Sequence, residues 1–173
     1  MVSNVITVYC HAPYRVPNYL VGATNRSKSV ASKDRRRLGH MKETIVEGIT
    51  SAGGKSKTFK KPSDTKQFLR HYVENVPVED LQGRSEEILA RAALDHLEFG
   101  ATRRKGRALL RIFNPTLKEH GYISAYTFVG MVNDDMPFLV DSVAAAINRH
   151  KMAVHITVHP IISVLRNSKG EIT

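Results

Sequence analysis

Residues 125–150 read AYTFVGMVNDDMPFLVDSVAAAINRH, and this stretch decides the fold. Its first part, residues 125–132, is rich in β-branched and aromatic side chains, which predicts a strand buried on both faces or nearly so. The polar residues 133–135 end that strand. Pro137 suits the first turn of a helix, which should continue to about His150. This helix has one smooth apolar face, formed by Leu139, Val143, Ala146 and Ile147.

A second strand is expected upstream of this unit. Residues 107–113 alternate between apolar and basic side chains, with Leu110 and Ile112 on the apolar face. Asn114-Pro115 ends the pattern, because proline cannot donate a hydrogen bond to a neighbouring strand.

A third strand is expected downstream. Residues 154–165 predict one long strand, broken or bulged at Pro160, and residues 167–170 predict a hairpin turn after it. Only three residues follow that turn. A long strand with so short a returning arm keeps an unpaired edge, so either the chain is a fragment or the strand pairs with a neighbour.

Three short helices should precede the strands. The first covers residues 41–52 and stops at a pair of glycines. The second begins at Ser63, whose hydroxyl can cap it, and stops before Pro77. The third begins near Ser85, where the sequence resembles a capping signal, and runs to Phe99.

These elements predict an α+β fold with one core shared by the sheet and the helix of residues 137–150. The core is expected to contain Ile112, Phe128, Val132, Leu139, Val143, Ile147, Ile156, Val158 and Ile162.

The charge of the chain is concentrated at its N-terminal end. The 173 residues carry a net charge of +10, and residues 1–61 hold twelve Lys and Arg against three acids. The remaining residues are nearly neutral, which argues against a nucleic-acid face on the fold. We therefore predict a basic leader and linker over residues 1–61, mostly disordered with a short helix at 41–52, before the folded residues 62–173. Residues 1–40 could also be a targeting peptide, a nucleic-acid arm or translated sequence ahead of a start at Met41.

Composition also bears on the cellular location. The one cysteine, Cys10, cannot close an intramolecular disulfide. The longest apolar runs are much shorter than the ~20 residues that cross a bilayer, and the N-terminus has no uninterrupted signal-peptide core. The sequence predicts a cytoplasmic protein without a membrane or nucleic-acid partner.

Residues 48–56, GITSAGGKS, look like a phosphate-binding loop but do not match one. Five residues separate Gly48 from the Gly-Lys-Ser group, whereas the loop needs four so that its backbone N–H groups converge on a phosphate. The stretch also follows a helical pattern rather than a strand, so we interpret it as a helix end. His150, His155 and His159 likewise fail as a metal site, because His155 and His159 would lie about 13 Å apart on a strand.

The turn before the 137–150 helix is the candidate ligand site. Asn133, Asp134 and Asp135 lie beside the first-turn N–H groups of Phe138 and Leu139. Such N–H groups suit a carboxylate and the two aspartates suit an ammonium, so the turn could bind both charged ends of an amino acid. The alternative is that Asp134 or Asp135 simply caps the helix.

Four blocks of the chain resemble one known family. They are residues 79–84 (EDLQGR), residues 111–115 (RIFNP), residues 134–142 (DDMPFLVDS) and residues 159–161 (HPI). In residue identity and in order, these blocks are similar to the opening segment of the large bacterial NAD-dependent glutamate dehydrogenases. The resemblance covers roughly the last hundred residues and does not extend over the basic leader.

The resemblance implies a fold and a role. In that family this segment is the first of several ACT-type regulatory domains, which implies an incomplete ACT-like (βαββαβ) antiparallel sheet with helices on one face, here residues 107–173. The catalytic lysine, aspartate and dinucleotide loop of the family lie far downstream, so no catalytic residue and no cofactor are assigned to this chain, and NAD belongs to the parent enzyme.

Two functions follow from the resemblance. In the first, the chain is a regulatory and assembly module of a dehydrogenase that deaminates L-glutamate oxidatively, and its acidic turn senses an amino acid. In the second, the module is purely structural and binds no ligand. The expected partners are the rest of the dehydrogenase chain and further copies in a homo-oligomer.

Overall fold

The computed structural model describes residues 2–11 and 32–173. The elements in chain order are β1 Val2–His11, α1 Ser32–Ala52, α2 Pro62–Val73, α3 Val78–Leu81, α4 Glu86–Phe99, β2 Leu109–Phe113, α5 Leu117–His120, β3 Thr127–Asp134, α6 Leu139–Arg149, β4 Ala153–Val158 and β5 Ile161–Ser163.

All strand pairs of the sheet are antiparallel, in the order β2-β3-β1-β4, and β5 also pairs with β1. β4 and β5 lie end to end along the same edge of β1 and keep one register, since Thr7 faces Val158 and Asn4 faces Ile161. The predicted strand of residues 154–165, interrupted at Pro160, is thereby confirmed. The predicted hairpin is confirmed too: the Asn167 N–H donates to the Glu171 carbonyl at 3.0 Å.

Residues 2–11 form the strand β1, whereas the prediction was a mostly disordered leader over residues 1–61. It lies inside the sheet, between β3 on one side and β4 and β5 on the other. Residues 2–11 are rich in Val, Ile, Thr and Tyr, which favour strands. Their pairing partners lie more than a hundred residues away in the chain, so charge and local periodicity do not reveal them. Residues 12–31 fall outside the described residues.

α1 is also longer than the predicted helix, because it begins at Ser32 instead of residue 41. It packs against α2 and α4. It ends at Ala52, and Gly54 has a φ of +62°. The interpretation of residues 48–56 as a helix end is confirmed.

Helices cover both faces of the sheet: α6, the helix of the predicted ACT-like part, lies on one face, and the preceding helices α1, α2 and α4 lie on the other. Phe128 and Val132 of β3 belong to the large core that α1, α2 and α4 share. Val129 packs instead with Ile147 of α6 in a smaller cluster. Successive strand residues point to opposite faces, so β3 is buried on both sides, as its composition indicates.

Most of the predicted core residues are buried or half-buried. Ile112 is the exception, because 65% of its surface is exposed. The inward positions of β2 are Leu109, Arg111 and Phe113. The Arg111 guanidinium carbon lies 4.4 Å from the Phe113 ring centroid, and its Nη2 pairs with Asp95. A charged side chain thus occupies the face that alternation assigned to solvent, since a guanidinium can stack on a ring while its charge is paired.

Of the two predicted N-terminal helix caps, the one at Ser85 is confirmed and the one at Ser63 is wrong. The Ser85 hydroxyl accepts a hydrogen bond from the Ile88 N–H, which confirms the cap of α4. Ser63 does not cap α2, because Pro62 is already helical and the Ser63 hydroxyl donates to Asp64 instead. Proline suits that first position, where an N–H would have no intrahelical partner.

Candidate functional site

The acidic turn joins β3 to α6. The side-chain amide of Asn133 donates to the Met136 sulfur at 3.2 Å. Phe138 precedes the first helical residue with a φ of +59° and is 78% exposed. Leu139 packs half-buried against the cluster of Val129 and Ile147. The structure therefore brings the predicted residues together at one end of α6, but their side chains have different surroundings.

Asp134 is bound to a buried arginine. The Arg103 side chain is fully buried, and its Nη2 pairs with Asp134 Oδ1. The Gly106 N–H donates to the other carboxylate oxygen at 2.9 Å. The hydrogen bond from Arg103, followed by the one from Gly106, holds the pKa of Asp134 below its usual range. A buried guanidinium needs such a counter-charge, because an unpaired charge in the interior is costly.

A second arginine extends this cluster. Arg166 donates to the backbone carbonyls of Gly100, Ala101 and Gly170 at 2.8–3.0 Å. Burial lowers the pKa of Arg166, the charge of Arg103 lowers it further, and Asp134 opposes both. Arg103, Asp134 and Arg166 form what we call the arginine cluster, which ties the end of α4 to the end of β3 and to the C-terminal hairpin.

The arginine cluster limits what Asp134 can do at the turn. Its carboxylate accepts hydrogen bonds from Arg103 and from the Gly106 N–H. Phe138, the residue before α6, supplies no side-chain cap. Asp134 is therefore not the cap of α6. Asp135 is exposed to solvent. Binding of an amino acid by the turn stays a prediction.

His96 is a buried polar residue that sequence patterns did not single out. Its Nε2–H donates to the Met131 carbonyl at 3.2 Å, so its Nδ1 accepts from the Tyr72 hydroxyl at 3.1 Å. Burial lowers the pKa of His96 to about 3, and the charge of Arg111 adds to the effect. The neutral ring therefore links α2, α4 and β3 as a structural tie. No sequence pattern indicates this role, because His96 occupies an ordinary position on the apolar face of α4.

Three sizeable cavities lie away from the acidic turn. One, of about 480 Å³, lies between α2 and the strand segment 161–165. The second, of about 460 Å³, lies between the turn before α4 and residues 123–126. The third, of about 480 Å³, lies between α4 and residues 121–123. Residues 79–84, one of the blocks that carried the family resemblance, line the second cavity almost throughout.

Among the side chains that the structure describes, no three His, Cys, Asp or Glu are grouped as a metal site would need. Within residues 2–11 and 32–173, no helix combines the length and the apolar character of a bilayer crossing.

Comparison with known proteins agrees with the fold. The family model of the glutamate dehydrogenase ACT1 domain matches residues 68–173. The NAD-specific glutamate dehydrogenase of Halomonas elongata is 34% identical over 109 residues, which is 63% of this chain and 7% of that protein. The protein of the same name from Pseudomonas aeruginosa is 40% identical over 63 residues, 36% of this chain and 4% of that protein. No solved structure matches.

Proposed function

The chain belongs to the family of glutamate dehydrogenase ACT1 domains, and on that ground we propose that it is the N-terminal regulatory and assembly module of an NAD-specific glutamate dehydrogenase. The oxidative deamination of L-glutamate with NAD would take place elsewhere in the polypeptide. This chain spans only 7% of the Halomonas relative, so the bulk of such an enzyme has no counterpart here.

One observation on the side of the sheet that α6 covers supports a docking role. Leu110 and Ile112 of β2 are 58% and 65% exposed. They face Met131 and Val129 across the strand pair, so they lie on the side that α6 covers only in part. Among the strands described, β2 is at one end of the sheet and pairs only with β3. Apolar side chains on an unpaired sheet edge favour contact with another protein surface.

Docking through this face would make the module an assembly element. The contact would bury Leu110 and Ile112, and burial of each side chain contributes roughly 1.5–3 kcal/mol. The arginine cluster and the His96 tie hold the sheet against the helices, so the face is presented as a preformed surface. A regulatory effect would arise if the docked state favours one arrangement of the enzyme over another.

A chimeric enzyme tests the docking role. This chain would replace the matching segment of the Halomonas elongata dehydrogenase, and light scattering and glutamate-dependent reduction of NAD would report assembly and activity. We expect the chimera to assemble and the double variant Leu110→Ser, Ile112→Ser to lose assembly. Leu117→Ser is the matched control, because Leu117 of α5 is 65% exposed, as Ile112 is. A double variant that assembles like the unmodified chimera would refute the docking role.

Sensing of an amino acid at the acidic turn is the second candidate. It is supported by the first turn of α6, which has no side-chain cap, and by the exposure of Asp135. Since Asp134 is bound by Arg103, the ammonium of the ligand would rest on Asp135. Isothermal titration of the chain with the twenty amino acids tests this, and Asp135→Asn should abolish any heat of binding. Unchanged binding in that variant would exclude the turn.

A further inference from the structure

The chain between α4 and β2 makes a tight turn whose exposed side chains are all basic. We call residues 104–107, of sequence RKGR, the basic turn. The Arg107 N–H donates to the Arg104 carbonyl at 3.1 Å, and Gly106 has a φ of +71°, which glycine adopts without strain. The side chains of Arg104, Lys105 and Arg107 are exposed and form no ion pair with any residue that the structure describes.

The basic turn is anchored to the folded core. The Gly106 N–H donates to the Asp134 carboxylate at 2.9 Å, and the buried Arg103 side chain donates through Nη1 to the Arg107 carbonyl at 3.0 Å. A Cβ built on Gly106 would have no atom within 4 Å, so the tip of the turn faces open space. The basic turn is therefore a fixed, protruding group of cations.

The cavity of about 460 Å³ beside α3 has the opposite charge, and we call it the acidic cavity. Glu79 and Asp80 line it, and their side chains make no hydrogen bond or ion pair with any residue that the structure describes. The Arg84 side chain is engaged in the wall, because its Nε donates to the Asp80 carbonyl at 2.6 Å and its guanidinium carbon lies 5.6 Å from the Tyr126 ring centroid. Ile123 also lines the cavity, although 63% of its surface is exposed. A long basic side chain suits this lining, since its charge would meet carboxylates while its aliphatic stem covers the isoleucine.

The basic turn and the acidic cavity of one molecule are too far apart to pair. Tyr126, which lines the cavity, directly precedes β3, whereas Asp134, which holds the basic turn, is the last residue of β3. This strand has eight residues and therefore spans about 25 Å. An ion pair needs a separation of about 4 Å or less. Both surfaces are thus open to another molecule.

We propose that the basic turn of one copy of this chain inserts into the acidic cavity of a second copy. The Lys105 ammonium lies beside Glu79 and Asp80, and its stem packs on Ile123. The contact joins two unlike surfaces, so each copy binds one neighbour through its turn and another through its cavity. A second copy is favoured over a foreign partner because every molecule carries both halves of the contact. The contact does not use the docking face of β2.

Sedimentation equilibrium of the full chain tests the proposal. The weight-average mass should rise above that of one chain as the protein concentration approaches about 1 mM in about 0.05 M NaCl, since a contact of one turn is far smaller than a standard interface of roughly 1,600 Å². In about 0.5 M NaCl the screening length is about threefold shorter, and the dissociation constant should be about tenfold or more higher. A chain that stays monomeric throughout, or associates independently of salt, overturns the proposal.

Charge reversal locates the contact. The double variant Arg104→Glu, Lys105→Glu has two acidic surfaces, and the double variant Glu79→Lys, Asp80→Lys has two basic ones. Each alone should stay monomeric where the unmodified chain associates. An equimolar mixture should associate again, because each turn then meets an oppositely charged cavity. The net charge of +10 stays positive in both variants, so attraction between whole molecules does not explain such a rescue.

A control keeps the result specific. Lys60→Glu, Lys61→Glu changes the net charge as much as Arg104→Glu, Lys105→Glu does, at exposed positions before and at the start of α2, and should associate like the unmodified chain. If the acidic-cavity double variant fails to fold, Glu79→Lys alone should weaken association about tenfold, because Glu79 is exposed. A mixture that stays monomeric, or a control that loses association equally, overturns the proposal.

The docking role is tested separately in the same experiment. Leu110→Ser, Ile112→Ser should leave the salt-dependent association unchanged. Loss of association in that variant would assign it to the docking face and overturn the contact between turn and cavity. Failure of the charge reversal leaves the docking role untouched.

Discussion

The guanidinium of Arg103 lies buried against the carboxylate of Asp134, 31 residues further along the chain, and this pair connects the end of α4 to the end of β3. It also decides the character of the acidic turn. Of its two aspartates, Asp134 is the structural counter-ion of Arg103, and Asp135 is exposed to solvent.

Removal of the Asp134 carboxylate should destabilise the protein. Asp134→Ala leaves the Arg103 charge buried without this partner, and we expect the free energy of unfolding to fall by about 3 kcal/mol. Urea denaturation measures the loss. Glu47→Ala is the control, because Glu47 is exposed on α1 and its carboxylate has no partner among the described residues, so its effect should stay within about 0.5 kcal/mol. Equal losses in the two variants would contradict the role of the pair.

The buried His96 should make stability fall in weak acid. Its pKa is about 3 in the folded protein and 6.5 when unfolded, so below about pH 6.5 the unfolded state takes up a proton that the folded state refuses. The contribution is complete above the unfolded pKa and is lost as the pH falls toward the folded one. Melting temperatures between about pH 7.5 and pH 5 should therefore drop less in His96→Gln than in the unmodified protein. Parallel curves would show that His96 does not titrate in this way.

Gly170 should not tolerate a side chain. Its φ is +85°, and a Cβ there would lie 2.6 Å from the Arg103 carbonyl oxygen. Gly170→Ala therefore combines backbone strain with a clash, and should cost about 2 kcal/mol or more. Gly121→Ala is the matched comparison, because Gly121 has a φ of +75° and no atom within 4 Å of a built Cβ. Thermal unfolding should place Gly170→Ala clearly below Gly121→Ala, and the reverse order would argue against the clash.

Arg111 should not be replaceable by lysine. Its guanidinium stacks between Phe99 and Phe113, at 4.5 and 4.4 Å from the ring centroids, while it pairs with Asp95. Lysine keeps the charge but loses the planar fork and the stacking, so Arg111→Lys should cost about 1 kcal/mol or more. Chemical denaturation provides the measurement, with the exposed Arg104→Lys as control. A stability equal to that of the control would mean that charge alone matters at this position.

The local sequence determined those helices, strands and turns whose formation depends on residues close to one another along the chain. The strand, turn and helix of residues 125–150 follow from periodicity, the cap at Ser85 from a short-range hydrogen bond, and the interruption at Pro160 from a missing N–H. Each of these involves residues within a few positions of one another, where propensity and pattern act directly.

Tertiary structure decided everything that depends on distant partners. Residues 2–11 become an inner strand only because β3 and β4 supply their hydrogen bonds, and Arg103 is buried only because Asp134 arrives beside it. Ile112 points outward because Arg111 finds Phe99, Phe113 and Asp95 on the inner side. Even the cavity at Arg84 requires residues 123–126 and His155. The energies of such contacts are set by which surfaces meet in space, and spacing along the chain does not encode that.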